Sequence, residues 1–364
     1  MELTCAHASI CSGCSHWGDP LKLQRQRKQT RFLELLRGRG LREPRELIWA
    51  DLPGHGLRDR LDFQIQEGRF GLWNKDRSRI EDLFTCEQLS PQLKHWHEKF
   101  REFKFPVRRG SVRLRVNSRG DKGVWLDLAN EDVKSLFDER ETLERLSRIA
   151  EVVEIGQRRK RLVFENGTPK LLKDPHYHVW SETWIDGAPL ALKSRIGDFS
   201  QVGREANRAI IQALESVLPA SEHLVEFGSG TGNLTFPSAA RCERVDAYEF
   251  DASAAAAFEI NRASFGRLRP QAKLQLRVGN FQNQAAALSG VDTVLVNPPR
   301  SGVGDFLESL PGSHVERLVY MSCFPESMTA DLAKTLAGWN CEKLILIDQF
   351  PQTEHLEVMG LWTR

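Results

Sequence analysis

The sequence predicts an α/β fold, with a C-terminal Rossmann-like domain preceded by an N-terminal region of mixed α+β structure. Three observations lead there. From about residue 190, short apolar runs (HLVEFGSGTGN, VDAYEFD, VDTVLVNPP, HVERLVYMSC and EKLILIDQF) recur between helical or loop-like stretches, the pattern of alternating β and α elements around a mainly parallel sheet. The first run ends in a glycine-rich turn, as expected where a strand end meets a ligand. Upstream the composition differs: segments are basic and strand-like or helical, as in SVRLRV, where Val112, Leu114 and Val116 alternate with Arg113 and Arg115 to give one buried and one basic face. Residues 1–90 read as a cysteine-bearing basic segment, 91–190 as the rest of the α+β region, and 191–364 as the Rossmann-like domain. The boundary is expected between Asp174 and Lys193, because TWIDGAPLAL is itself strand-like.

With 364 residues, 40% of them hydrophobic, the chain can fill two ordinary cores. Its net charge of +2 hides an asymmetry: 35 basic and 29 acidic residues up to residue 190, against 16 and 20 after it. A basic first half suits a polyanionic partner. No run of 18 apolar residues occurs, and MELTCAHASICSGC has neither the basic nor the apolar stretch of a signal peptide, so a cytoplasmic protein is expected. Seven cysteines in such a chain (Cys5, Cys11, Cys14, Cys86, Cys242, Cys323 and Cys341) argue against a disulfide framework and for metal binding or catalysis.

The N-terminal elements follow in order. Cys5-x5-Cys11-x2-Cys14, with Cys86 far downstream, makes a four-thiolate set that suits zinc or a [4Fe–4S] cluster, zinc being slightly favoured on spacing. Residues 22–45 hold nine Lys or Arg against two Glu, and the spacing of Leu21, Leu23, Phe32, Leu35 and Leu36 predicts a helix over much of them. A second basic cluster runs from Lys99 to Arg119, and a third is QRRKRLVF, residues 157–164. Each alone reads as a solvated surface; the three together predict an RNA-facing one.

In the C-terminal half, Val225 to Asn233 read as an apolar strand running into a turn with Gly228, Gly230 and Gly232 at GxGxG spacing, which suits the methionine part of S-adenosylmethionine better than a pyrophosphate. Glu226 opens that motif and joins the candidate cofactor ligands. About twenty residues on, Glu249 ends the next strand, where an acidic side chain can accept bonds from both ribose hydroxyls. Asn280, in VGNF, is expected near the adenine. Asn297 follows another apolar strand, and Pro298 and Pro299 stiffen the loop so that its amide can be held over a planar base. Cys323 follows a further apolar strand. In the tail, an extended chain would by period-2 alternation put His355 and Glu357 on one side, with Glu354 pointing away, and Glu357 precedes the apolar Val358-Met359-Gly360-Leu361, so partial desolvation would make it a better base.

Together these residues resemble the RNA uracil-5 methyltransferase family, most closely its branch acting on 23S ribosomal RNA without a TRAM domain. The resemblance covers nearly the whole chain, through the four cysteines, FSQV around Gln201, EFGSGTG, Glu249, NPPR, Ser322-Cys323 and FPQTEHLE. It implies a Rossmann-like methyltransferase domain using S-adenosylmethionine, a cluster-bearing RNA-binding region, and a [4Fe–4S] cluster on Cys5, Cys11, Cys14 and Cys86. It also implies Cys323 as nucleophile, Glu357 as general base, and contacts from Gln201, Glu249 and Asn297 to cofactor or target base. Addition of the thiolate to carbon 6 would make carbon 5 of uracil nucleophilic enough to take the methyl group. The expected product is 5-methyluridine, in rRNA rather than tRNA, made by a monomer. The chain departs from the family pattern at Phe324, where Asn is usual, and at Asn280, where Asp is usual. A catalytically impaired RNA-binding relative and a tRNA-directed enzyme are the rival readings; a small-molecule methyltransferase would leave the basic half unexplained.

Overall fold

The computed structural model describes residues 4–104, 107–128, 136, 138, 140–157, 160–165, 168–172, 176–279, 288–336 and 338–364. Two compact units emerge, one of Met1–Trp17, His55–Ser181 and Ser194–Arg204, the other of Gly18–Gly54, Glu182–Lys193 and Glu205–Arg364. No described helix is long and apolar enough to cross a membrane.

Helix α1 (Leu21–Gly38) and strand β1 (Glu46–Trp49) belong to the second unit. The first unit is built on an eight-stranded sheet from β2 (Arg60–Gln66), β3 (Arg69–Trp73), β4 (Ile80–Asp82), β5 (Arg109–Val116), β6 (Lys122–Asp127), β7 (Val152–Gln157), β8 (Lys160–Glu165) and β9 (Thr168–Leu171), in the order β4-β3-β2-β5-β6-β7-β8-β9. Only β6 and β7 pair in parallel, the arrangement that needs a crossover, and α3 (Arg140–Ser147) lies in that connection. Helix α2 (Pro91–Phe100) starts where Ser90 Oγ accepts from Leu93 N at 3.3 Å and Pro91 fixes the first turn. It buries Leu93, Trp96 and Phe100 in one cluster with Leu61, Phe63, Val112 and Leu114.

The alternation read in SVRLRV holds only in part. Val112, Leu114 and Val116 are buried, but so is Arg115, at 1% exposure. Its guanidinium donates to Ile196 O at 3.2 Å and Ser200 Oγ at 2.6 Å and lies 5.3 Å from the Trp180 ring centroid. The face expected to be basic and open is thus covered at that position by the segment around residues 195–200. TWIDGAPLAL forms a hairpin of β10 (His178–Ile185) and β11 (Ala188–Ser194), whose two-residue turn, Asp186-Gly187, has φ of 51° and 79°, the left-handed pair that matches strand twist.

The second unit adds α4 (Arg204–Val217), β12 (Leu224–Phe227), α5 (Thr235–Ala239), β13 (Arg244–Glu249), α6 (Ala252–Leu268), β14 (Lys273–Val278), β15 (Thr293–Val296), β16 (Arg317–Ser322), α7 (Pro325–Thr335), β17 (Asn340–Ile347) and β18 (Glu357–Thr363). Its sheet runs β1-β17-β18-β16-β15-β12-β13-β14, parallel except for β18, which is antiparallel to both neighbours. β12 and β15 lie side by side inside the sheet with every residue buried, which is why both read as unbroken apolar runs apart from Glu226 and Thr293. After β12 the chain builds outward through β13 and β14, then returns to place β15 on the other flank of β12. Such a switch point opens a crevice beyond the carboxyl ends of the strands.

Residues 18–54, grouped with the N-terminal region on sequence, lie instead in this second unit. β1 pairs in parallel with β17, Glu46 opposite Lys343 and Trp49 opposite Leu346. On α1 the buried positions are Gln24, Lys28, Phe32 and Leu36, one per turn, and Phe32 and Leu36 share a core with Leu344, Leu346 and Trp362.

Candidate active site

Topology brings most of the sequence-derived candidates to one edge. β12, β13, β15 and β16 end there with Phe227, Glu249, Val296 and Ser322, so the glycine turn, Asn297 and Cys323 follow at the same rim. β18 runs the other way and contributes its first residue, Glu357, at that rim.

Gly228, Gly230 and Gly232 have φ of 80°, 57° and 98°, conformations that side chains disfavour. At Gly228 a Cβ would also stand 3.2 Å from Asn297 O, whereas at Gly230 it would meet no protein atom within 4 Å. The turn is therefore closed against the neighbouring loop at one end and open in the middle. Gly230 N donates to Glu249 Oε2 at 2.7 Å, while Glu249 Oε1 accepts from Phe250 N and Asp251 N at 2.8 and 2.7 Å. Those three amides aim the carboxylate and leave it lone pairs for a diol. Beneath the turn lie polar atoms without partners: both carboxyl oxygens of Glu226, Ser229 Oγ and Thr235 Oγ1, all buried. Burial, with the charge of Glu249 adding, raises the Glu226 carboxyl to about 8, against a smaller opposing effect of nearby Thr235. These orphaned groups and the half-used Glu249 fit a ligand that carries an amine and a ribose, as S-adenosylmethionine does.

Cys323 is half-buried, immediately beyond the Ser322–Val358 pair, and Glu357 is the residue before Val358. Nucleophile candidate and base candidate thus face each other across neighbouring strands. Burial pushes the Cys323 thiol above its ordinary range, and the Glu357 charge adds to this, while the Arg300 guanidinium pulls it back down. Glu357 is 3% exposed, and burial raises its carboxyl to about 8 despite opposing effects of Gln349 and Arg300. Gln349 Nε2 donates to Glu357 Oε2 at 2.5 Å. The peptide after Cys323 is held by Ser322, whose Oγ accepts from Phe324 N at 3.0 Å. A carboxyl with a pKa near neutrality, beside a thiol and a cation, can accept a proton from a reacting carbon.

The extended chain that would set His355 and Glu357 on one side is not formed, because residues 351–354 make a turn and the strand begins only at Glu357. His355 is exposed, with its ring 5.9 Å from Phe350. Gln201 lies in the Ser194–Arg204 segment of the first unit. Asn280 lies outside the described residues. Two contributors escaped the sequence reading: Arg300, seen only as part of NPPR, and Gln349, which nothing but its place before FPQTEHLE could have flagged.

Cys5, Cys11, Cys14 and Cys86 all fall in the first unit, as half-buried free thiols. Among the described residues no group of three or more His, Cys, Asp or Glu stands in metal-holding geometry. The thiols nonetheless feel one another: Cys14 is raised to about 12 by burial and then by Cys86, Cys11 and Cys5, and Cys86 is raised by burial with smaller effects of Cys11 and Cys5. Four cysteine sulfurs are the donor set that zinc or a [4Fe–4S] cluster takes, and these thiols would bind either one as thiolates. Cys242 and Cys341 are buried core thiols, both raised to about 12 by burial.

A family model described as tRNA (Uracil-5-)-methyltransferase matches residues 277–364. An uncharacterized RNA methyltransferase of Bdellovibrio bacteriovorus is 41% identical over 99% of this chain and 95% of its own length. The 23S rRNA (uracil(1939)-C(5))-methyltransferase of Alcanivorax borkumensis is 26% identical over 89% of this chain and 74% of its own. The crystal structure of Pyrococcus abyssi tRNA (uracil-54, C5)-methyltransferase with S-adenosyl-L-homocysteine superposes with a TM-score of 0.70 at 18% identity, over 97% of this chain and 86% of that one.

Proposed function

Since the chain belongs to the S-adenosylmethionine-dependent RNA uracil-5 methyltransferases, we propose that it forms 5-methyluridine in 23S ribosomal RNA, with Cys323 as nucleophile and Glu357 as general base. The observation that carries the reading is the facing of Cys323 and Glu357 across β16 and β18, with Arg300 influencing both. Bound S-adenosylmethionine supplies an electrophilic methyl group. Glu226 and Glu249 would hold its amine and ribose, and Asn297, at the end of β15, would orient the uracil; Gln201 is the further candidate for contact with cofactor or base. Arg300 favours the Cys323 thiolate, which adds to carbon 6 and pushes the electron pair toward carbon 5. Once carbon 5 is methylated, Glu357 takes its proton, the electron pair restores the carbon 5–carbon 6 double bond, and the Cys323 thiolate leaves.

Ribosomal rather than transfer RNA is chosen because relatives named for 23S rRNA align along most of the chain, whereas the tRNA enzyme shares the fold at 18% identity. The cluster-bearing region would be the RNA-binding part, with Cys5, Cys11, Cys14 and Cys86 holding a [4Fe–4S] cluster in a structural role; the placement of all four thiols in the first unit supports this. Anaerobic reconstitution should give about four iron and four sulfide per chain if so; one zinc and no sulfide would refute it.

The deciding experiment incubates the protein with labelled S-adenosylmethionine and unmodified 23S rRNA or tRNA, then analyses nucleosides by mass spectrometry. Wild type should yield 5-methyluridine in 23S rRNA, Cys323→Ala none, and Glu357→Gln a stalled covalent RNA adduct. Label in tRNA alone would overturn the choice of substrate. Cofactor binding without any methylation would favour an RNA-binding relative that has lost turnover, the reading that Phe324 motivates.

A further inference from the structure

Helix α1 sends two polar side chains into the interior of the second unit. Lys28 Nζ lies 2.5 Å from Asp348 Oδ1 and 3.2 Å from Phe350 O, with the two charged side chains only 4% and 0% exposed. One turn earlier, Gln24 Nε2 donates to Gln352 Oε1 at 2.8 Å, and Gln24 Oε1 accepts from Gln352 N at 2.9 Å. Gln352 has a φ of 66°, a left-handed conformation that a non-glycine residue keeps only when its surroundings hold it. The contacts from α1 therefore grip Asp348, Phe350 and Gln352, the first half of the connection from β17 to β18. Gln349 sits inside the grip, 2% exposed, with its amide on Glu357.

A buried ion pair is a poor stabilising device, since apolar replacements of similar volume are often neutral or better. What this one supplies is geometry. It fixes the backbone on either side of Gln349, which bonds the Glu357 carboxyl, and it does so from a helix about 320 positions away in sequence. We propose that Lys28 is a positioning residue for proton removal: through Asp348 it fixes Gln349, and Gln349 aims the Glu357 carboxyl. The inference rests on the reading of Glu357 as general base. It singles out the late step, in which Glu357 takes the carbon 5 proton, the double bond re-forms and the bond from Cys323 to carbon 6 breaks. Addition and methyl transfer precede it and do not need the base, so loosening the grip should strand the methylated covalent adduct.

The test compares wild type, Lys28→Arg, Lys28→Met and the double variant Lys28→Met/Asp348→Asn, which removes both buried charges and keeps the shape. Each is mixed with labelled S-adenosylmethionine and a 23S rRNA fragment; adduct is read on denaturing gels, free 5-methyluridine by mass spectrometry, and cofactor affinity by titration. Both Met variants should bind cofactor like wild type, accumulate labelled adduct, and release product roughly 10- to 100-fold more slowly, the cost of a small misplacement of a reacting group. Lys28→Arg should recover part of the release rate. Wild-type release without adduct from the double variant would overturn the proposal, as would parallel loss of cofactor binding, adduct and product, which marks a general role in folding. Wild type that forms neither adduct nor product, with this fragment or with tRNA, would instead sink the reading of Cys323 and Glu357.

Discussion

At Glu226 and Glu357, burial holds a carboxyl near 8 when its ordinary value is 4.5. The folded protein therefore binds these protons more tightly than the unfolded chain, so the stability they contribute is complete below about pH 4.5 and drains away as the pH rises through 8. Ligand-free protein should melt at progressively lower temperature between about pH 5 and pH 9, and Glu226→Gln, which cannot ionise, should flatten that slope in scanning fluorimetry. Gly232 gives a second expectation. An added Cβ would lie 2.2 Å from the Phe236 ring at a φ of 98°, so Gly232→Ala should cost at least ~2 kcal/mol in urea titration through overpacking and backbone strain. Phe324 matters less to the fold, since Ser322 makes the backbone contact that shapes the peptide after Cys323. Ser322→Ala should consequently lose more stability than Phe324→Asn, the difference being ~1 kcal/mol or more for an amide left unpaired.

Among elements, the tie between β16, α7 and the loop after β15 is made by one carboxylate. Asp331 Oδ2 accepts from Tyr320 Oη at 2.7 Å and Val303 N at 2.8 Å, and a Cβ on Gly302 would come within 2.3 Å of it. Asp331→Ala should leave two buried donors unpaired, cost ~2–4 kcal/mol, and loosen the loop that carries Asn297 and Arg300; urea titration and the rate of adduct formation would read the two effects. The legible elements were those whose burial follows sequence periodicity: β12, β15 and β16 are apolar because both faces are covered, and each is followed directly by a candidate residue, Gly228, Asn297 or Cys323. α1 was recognised as a helix but its partner was not, because Gln24 and Lys28 occupy two of its four buried positions and break the apolar stripe. β1 has four residues at an edge, none fully buried, so no periodicity marked it. Arg115 misled for the reverse reason: a charged residue in alternation reads as exposed, yet backbone carbonyls and an indole face take its guanidinium.

For the molecule as a whole, RNA affinity should fall at least tenfold, in rough terms, between 50 and 200 mM salt, because a polyanion releases counterions on binding. Arg109→Ala, at an exposed position of β5, should lower the slope of log affinity against log salt by about one if that strand touches phosphate; an unchanged slope would remove it from the interface. The common rim of the candidate residues was legible because they lie at or just past the strand ends of one sheet, whereas the place of residues 18–54 in the second unit was not, since contiguity in sequence is a poor guide where an early strand completes a late sheet. That arrangement carries a consequence for biosynthesis. β1 leaves the ribosome about 300 residues before β17, its neighbour, and at ~5–20 residues per second it must wait some tens of seconds without a partner. Until then its backbone donors and acceptors are open to other strands, so the nascent chain should depend on chaperones more than a chain whose sheet closes in order of emergence. Moving residues 18–54 to follow Arg364, with one linker joining Trp17 to His55 and another joining Arg364 to Gly18, should shorten the wait and raise the soluble fraction during rapid expression.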